Sequence, residues 1–235
     1  TYTIQVDKLS NHGRGTNIEH LKFLSPEDKI HFSISLFLTI LTDQVCYTYF
    51  NSIYYRFRSL TNYPKLTGND AEVTGIQINT GATIDLNGRK LVINGNVTGS
   101  GKFTGGSGST LEFTGTGAVG TIYLDQTSSS TSTIGTLKIN RSSSGSLTLG
   151  SNAIVNTLDL TAGNVDIGNN DLTVTTSSNA SSNSFIKVSG TGKVKQSIAN
   201  GSNFTFPVGK SAYNPITITN NTGASDEFSI NLLDE

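Results

Sequence analysis

Carboxylates are the side chains of this sequence most able to do chemistry, because two of them can serve as general acid and base on a glycosidic bond. Asp159 and Asp166 could approach each other across a corner, and Asp85 and Glu112 could do so between successive repeats. The acids of the central region nevertheless occur singly: Asp70, Glu72, Asp85, Glu112, Asp125, Asp159, Asp166 and Asp171. One acid per repeat on a polar face is expected without catalysis, so the sequence favours solvated acids over a catalytic pair.

Two other segments resemble ligand-binding motifs only weakly. Residues 163–171 are similar to one copy of a calcium-binding Gly/Asp repeat, but that site needs tandem copies, because successive turns share one ion. The glycine-rich segments 99–102 and 105–109 lack the spacing of a phosphate-binding loop and are interpreted as turns. We therefore predict no catalytic residue, no cofactor, no cofactor-binding residue and no metal ligand.

The histidines and the cysteine all belong to the first quarter of the chain. His12, His20, His31 and Cys46 have no metal-ligand spacing, and no histidine follows His31. A single cysteine excludes a disulfide framework within the chain. We interpret Cys46 as a small buried hydrophobic residue rather than a reactive thiol.

Short segments that alternate apolar and polar residues must position any surface group. Side chains alternate faces along a strand, so each such segment has one apolar face. A single short strand cannot bury that face, and stacked copies are required. The segments are Ile76-Gln77-Ile78, Ile122-Tyr123-Leu124, Leu137-Lys138-Ile139, Leu147-Thr148-Leu149 and Leu158-Asp159-Leu160.

A short sequence segment that occurs three times sets the expected period of the repeat. Its anchors Ile76, Leu137 and Leu158 are 61 and 21 residues apart, and a period near 20 with short strands is typical of a stacked coil. We therefore expect the three anchors to lie in one interior column. A second phrase, at 81–88 with 91–93, returns at 163–168 with 172–174.

Two phrases in the same order favour an all-β fold, a parallel β-helix or β-solenoid with coils of about 20 residues. A β-sandwich is the alternative, because its short strands also recur at regular spacing. The Gly, Ser, Thr and Asn residues between strands suit tight corners.

Composition divides the chain into three parts. Residues 1–59 hold the histidines, the cysteine and few glycines, and we expect them to be either a cap on the solenoid or a foreign segment. Ser25, Pro26 and the acids after them resemble a helix start, and 30–57 reads mainly as strand. Residues 60–195 are the predicted solenoid. Residues 196–235 are expected to be terminal strands of a truncated β-sandwich-like unit, at 204–206, 216–219 and 228–232.

The charge and hydropathy of the chain restrict the kinds of partner that it can be expected to bind. The net charge is −1 and only 14% of the residues are charged, so no general attraction to nucleic acid is expected. The apolar run 30–41 is too short to span a membrane and too far from the start for a signal peptide. We therefore expect no membrane span.

The style of the sequence from residue 60 onward resembles a known class of proteins. The segments that carry the resemblance are 62–64, 82–88, 93–101, 120–127, 137–141 and 146–150. They are similar to the repetitive secreted surface and adhesin-like proteins of Bacteroidetes-type bacteria. The resemblance implies an extracellular or cell-surface β-helical module that is part of a longer chain or assembly, with no catalytic motif.

Three functions follow as hypotheses. The first is a non-enzymatic structural or adhesive module that presents a Thr/Ser/Asn-rich surface to glycans or other cell-surface or matrix partners. The second is a polysaccharide lyase or hydrolase on the same fold, which would need clustered carboxylates. The third is an ice-binding surface, which would need a flat Thr-x-Thr face, whereas Thr131-Ser132-Thr133 and Thr173-Val174-Thr175 do not share one coil position.

Overall fold

A computed structural model describes residues 65–142 and 145–233, together with the backbone of three earlier strands. Those strands are β1 (Ile4–Asn11), β2 (Thr16–Phe23) and β3 (Arg56–Phe57). β1 and β2 pair antiparallel with each other. The predicted helix start near Ser25, the strands expected in 30–55 and the environment of Cys46 lie outside the described residues. The assignment of 1–59 as a cap or a foreign segment stays a prediction.

The rest of the described chain consists of short strands separated by turns. The first ten are β4 (Ala71–Val73), β5 (Ile76–Ile78), β6 (Thr83–Asp85), β7 (Lys90–Ile93), β8 (Val97–Thr98), β9 (Lys102–Thr104), β10 (Gly106–Phe113), β11 (Gly120–Leu124), β12 (Thr133–Asn140) and β13 (Ser146–Leu149). The others are β14 (Ala153–Ala162), β15 (Asn164–Asp166), β16 (Leu172–Ser178), β17 (Ile186–Lys187), β18 (Val194–Ile198), β19 (Asn203–Phe206), β20 (Val208–Gly209), β21 (Ile216–Thr219) and β22 (Asp226–Ile230).

The strands stack into a β-solenoid of roughly seven turns, which confirms the predicted fold class. One sheet has eight strands in the order β22-β18-β16-β14-β12-β10-β7-β4, and a second has seven in the order β20-β17-β15-β13-β11-β9-β6. A third, of β3, β5 and β8, covers the early coils. Neighbours along β4 to β18 pair parallel because each coil returns the chain to the same side one strand further on.

The core is a column of inward-facing side chains that alternate with polar ones. In β14, Leu158 and Leu160 are fully buried, whereas Asp159 between them is only partly buried. β5, β11, β12 and β13 show the same alternation, which confirms the predicted strands. Stacking buries the apolar face that a single short strand would leave exposed, because the coils above and below cover it.

The prediction that the three anchors lie in one interior column is wrong for Ile76. Leu137 and Leu158 are direct neighbours in the eight-stranded sheet, but Ile76 pairs with Val97 in the three-stranded sheet. Leu91 and Leu111 are the residues that continue the column of Leu137 toward earlier coils. The error has a physical cause: one coil contains several apolar–polar–apolar strands, so similar phrases arise on different sides.

The coils differ in length, and one carries an insertion. Leu91 and Leu111 are 20 residues apart and Leu137 and Leu158 are 21 apart, but Leu111 and Leu137 are separated by 26. Part of the difference comes from residues 126–132 between β11 and β12, which are Gln126 followed by serines and threonines and which we call the insertion loop. Such insertions project from one face of a solenoid.

The last strands close the end of the solenoid. β20 adds parallel to β17, while β22 pairs antiparallel with β18 and so ends the parallel stacking of the eight-stranded sheet. β19 and β21 pair antiparallel in a separate two-stranded sheet. The strands predicted near 204–206, 216–219 and 228–232 are present, and their membership of a β-sandwich unit stays a prediction.

Candidate functional site

Four charged residues alternate in sign across the outer face of the eight-stranded sheet. Lys90 Nζ lies 2.5 Å from Glu112, and Lys138 Nζ lies 3.6 Å from Glu112 and 3.9 Å from Asp159. We call Lys90, Glu112, Lys138 and Asp159 the ion ladder. The hydrogen bond with Glu112 raises the pKa of Lys90. Glu112, Lys138 and Asp159 are direct register partners in strands about 4.8 Å apart, and Lys90 reaches Glu112 diagonally from the preceding strand.

The acids of the seven-stranded sheet are also paired with lysines. Asp85 lies 3.3 Å from Lys65, Asp125 lies 3.6 Å from Lys102, and Asp166 lies 3.5 Å from Lys187. Among the remaining central acids, Asp70 accepts a hydrogen bond from the Lys90 backbone, Glu72 accepts one from Asn94, and Asp171 lies 2.7 Å from Lys195. Each of the eight acids therefore has a structural partner.

The carboxylate pairs considered from the sequence belong to different sheets. Asp159 lies on β14 and Asp166 on β15, while Glu112 lies on β10 and Asp85 on β6. Asp166 accepts hydrogen bonds from the Gly168 backbone at 3.0 Å and from Ser189 at 2.5 Å. Throughout 65–142 and 145–233, no three acidic, histidine or cysteine side chains are grouped as a metal site would require.

The candidate site is a groove on the side of the solenoid where the insertion loop projects. Its volume is about 320 Å³, in the range of ligand-binding clefts. Successive coils provide the lining, which we call the polar groove: Gln126, Ser128, Ser129, Ser132, Asn152, Ala153, Ile154, Asp171, Thr173 and Lys195. The lining combines hydroxyls, two carboxamides, one ion pair and two apolar side chains.

Hydrogen bonds hold the insertion loop in place. Thr131 donates its hydroxyl to the Asp125 and Ser128 carbonyls at 3.0 and 2.9 Å, and Thr133 donates to the Ser129 carbonyl at 2.6 Å. Gln126 Nε2 donates to the Asn152 carbonyl at 2.9 Å and so ties the loop to the following coil. The groove wall is therefore formed before any ligand arrives.

The ion pair in the groove is stable in its charged form. The hydrogen bond between Lys195 and Asp171 lowers the pKa of the Asp171 carboxyl and raises the pKa of the Lys195 amine. Asp171 also accepts a hydrogen bond from the Lys193 backbone at 3.0 Å. The groove therefore contains one negative and one positive group that compensate each other.

A column of threonines lies beside the ion ladder. Thr110, Thr136, Thr157 and Thr176 are partners in successive strands of the eight-stranded sheet. Sequence reasoning missed this column because the coils differ in length. A flat Thr-x-Thr face would need threonines two positions further along the same strands, but Glu112, Lys138 and Asp159 occupy those positions.

Arg141 is a buried cation whose role the sequence did not reveal. It is only 1% exposed. All its donors face backbone carbonyls: Nε donates to Gly117 at 3.0 Å; Nη1 to Asn94 at 2.9 Å, to Gly95 at 3.2 Å and to Thr114; Nη2 to Thr116 at 2.7 Å and to Ala118 at 3.0 Å. Desolvation lowers the pKa of Arg141. The residue joins three coils at one corner and has a structural role.

Glycines around Arg141 are the sequence signal that could have identified it. A β-carbon at Gly145 would lie 2.6 Å from Arg141 Cβ, and one at Gly115 would lie 3.3 Å from Nη1. An arginine that directly follows a strand and has glycines at the same corner of neighbouring coils is therefore a recognisable pattern once the coil register is known.

Comparison with known proteins identifies no matching family model, no matching curated protein and no matching solved structure. Among the described residues, no helix is long and apolar enough to cross a membrane.

Proposed function

We propose that this chain is a non-enzymatic extracellular structural or adhesive module whose Thr/Ser/Asn-rich solenoid surface binds glycans or other cell-surface partners. The observation that carries the proposal is the polar groove, a preformed cleft rich in hydroxyl and amide groups. Glycans expose closely spaced hydroxyls that donate and accept hydrogen bonds, and these lining groups can do both.

The arrangement of the acids supports a binding role over catalysis. A glycosidase needs two carboxylates that flank one bond, about 5–10 Å apart, with one of them holding a raised pKa. Asp171 is the one carboxylate of the polar groove, and the pKa of that carboxyl is lowered by Lys195. A general acid must instead remain protonated near the operating pH.

The low fraction of charged residues supports an extracellular location. It also fits the resemblance of the sequence to secreted adhesin-like proteins. Charged residues make up 14% of the sequence, and the described solenoid surface consists largely of threonine, serine and asparagine. A solenoid of stacked coils presents such side chains in regular columns on its surface.

A glycan array with the full 235-residue chain tests the proposal, together with an assay for new reducing ends or unsaturated products on the glycans that bind. We expect retention of at least one glycan class with no bond cleavage. Release of new chain ends would establish the lyase or hydrolase alternative. Absence of binding to every glycan would contradict the glycan-binding role.

A further inference from the structure

The polar groove has no net charge, and this restricts its ligand. Asp171 and Lys195 lie 2.7 Å apart and are the charged side chains of the lining. A sulfated or uronic-acid sugar would have to compete with Asp171 for Lys195, and a cation would have to compete with Lys195 for Asp171. An uncharged ligand avoids both costs, because it can bind without breaking a charge-assisted hydrogen bond.

Several lining atoms have hydrogen-bonding capacity left over. Within the described part of the chain, the hydroxyls of Ser129 and Thr173, the amide nitrogen of Asn152 and the amide oxygen of Gln126 take part in no hydrogen bond. The other amide atoms of Asn152 and Gln126 are engaged with backbone groups, which fixes the orientation of both side chains. The groove therefore offers oriented donors and acceptors to a ligand.

An apolar patch completes the lining. Ile154 is half-buried in the groove, and Ala153 beside it is buried. A pyranose ring has hydroxyls at its rim and C–H groups on its faces. Ile154 can contact such a face while the surrounding hydroxyls and amides bond to the rim.

We propose that the polar groove binds one uncharged pyranose residue of a glycan chain, with Thr173, Asn152 and Ser129 as hydrogen-bonding groups and Ile154 as the contact for the sugar face. This inference rests on the proposed function and assigns it a site. The rigid insertion loop limits the ordering cost of binding.

Titration calorimetry or ligand-detected NMR with the full chain tests the assignment. The probes are uncharged hexose and N-acetylhexosamine oligosaccharides, each with a sulfated or uronic-acid counterpart. Thr173→Val removes one hydroxyl at constant shape and should weaken binding by about 3- to 10-fold, the value of one neutral hydrogen bond. Ser129→Trp should obstruct the groove and weaken binding by about 100-fold or more, because the ligand must displace the ring.

Thr148→Val is the matched control, because Thr148 is an outward threonine of β13 that is outside the groove lining. It should bind as the wild type does, and thermal unfolding of all three variants verifies that they fold. Equal binding by Thr173→Val, Ser129→Trp and Thr148→Val would overturn the site while leaving the adhesive role intact. Preference for the charged counterparts would overturn the ligand class. Failure of every probe to bind would overturn both the site and the glycan-binding role.

Discussion

Lys138 and Arg141 are three residues apart, yet their side chains lie on opposite sides of the solenoid wall. Lys138 is on the outer face and approaches two carboxylates at 3.6 and 3.9 Å. Arg141 is buried, and six backbone carbonyls surround its guanidinium. The outer cation is paired with carboxylates at the surface, whereas the inner one is surrounded by backbone carbonyls.

The difference shows where polar groups contribute to the stability of this fold. An exposed ion pair contributes little, because water and salt compete with it. A buried arginine with all its donors satisfied replaces water at carbonyls that the turns leave unpaired. Substitutions in the interior should therefore lower the free energy of unfolding more than substitutions on the outer face.

Leu158→Asp should abolish cooperative unfolding. Leu158 is fully buried in the column shared with Leu137, and an unpaired buried charge costs several kcal/mol in addition to the lost apolar packing. Thr157→Asp is the control, since it places the same carboxylate one position away on the exposed side. Thermal unfolding followed by circular dichroism measures both, and similar midpoints for the two variants would refute the assignment of faces.

Arg141→Ala should lower the free energy of unfolding by about 3 kcal/mol or more, because several carbonyls lose a donor worth about 1 kcal/mol each. Arg141→Lys keeps the charge but has three donors in place of five, so we expect an intermediate loss. Arg89→Ala is the control at an exposed arginine and should change stability by less than about 0.5 kcal/mol. Urea denaturation distinguishes these outcomes; equal values for Arg141→Ala and Arg89→Ala would contradict the structural role.

Lys138→Ala should lower stability by about 1 kcal/mol or less, because its side chain is 33% exposed and its two ion pairs are long. The loss should decrease further between low salt and about 1 M salt, where the Debye length is about 3 Å. A loss as large as that of Arg141→Ala, or one that does not respond to salt, would remove the distinction between the two cations.

Asp171→Asn should lower stability by about 1 kcal/mol at most, since the Asp171 and Lys195 side chains are 33% and 28% exposed. The folded-state pKa of Asp171 lies below its ordinary value of 3.8, so the pair stabilises the fold above that pH and its contribution is lost as the pH falls through the lower, folded value. The pKa of Lys195 is raised above 10.5, so the contribution extends to that pH and is lost only as the pH rises through the raised value.

Unfolding midpoints of wild type and Asp171→Asn from pH 2 to pH 8 measure this effect. The two curves should differ at neutral pH and converge in acid. A difference that grows as the pH falls would reverse the expected sign. The nearby Glu227 and Lys193 also act on this pair, so the comparison is made at constant ionic strength.

Much of the architecture could be predicted from alternation alone. Ile122, Leu147 and Leu158 each begin an apolar–polar–apolar triplet, and each is buried in a strand. The register could not be predicted, because one coil contains several equivalent triplets and one coil carries an insertion. For that reason the sequence places Ile76 in the wrong column and does not reveal the threonine column.

The candidate site was less accessible to sequence reasoning. Asn152, Thr173 and Lys195 come from different coils and meet only because parallel stacking brings equivalent positions together. None of them belongs to a motif, since hydroxyl and amide residues are common along the whole chain.

The amino-acid sequence alone predicts an all-β solenoid with a period near 20 residues, because the alternation of apolar and polar residues needs no knowledge of distant contacts. Tertiary structure decided which columns those residues join, that each central acid has a partner, that Arg141 faces inward and that an insertion forms the wall of a groove. These features depend on residues about 20 or more positions apart, and only the stacking of coils brings such residues together.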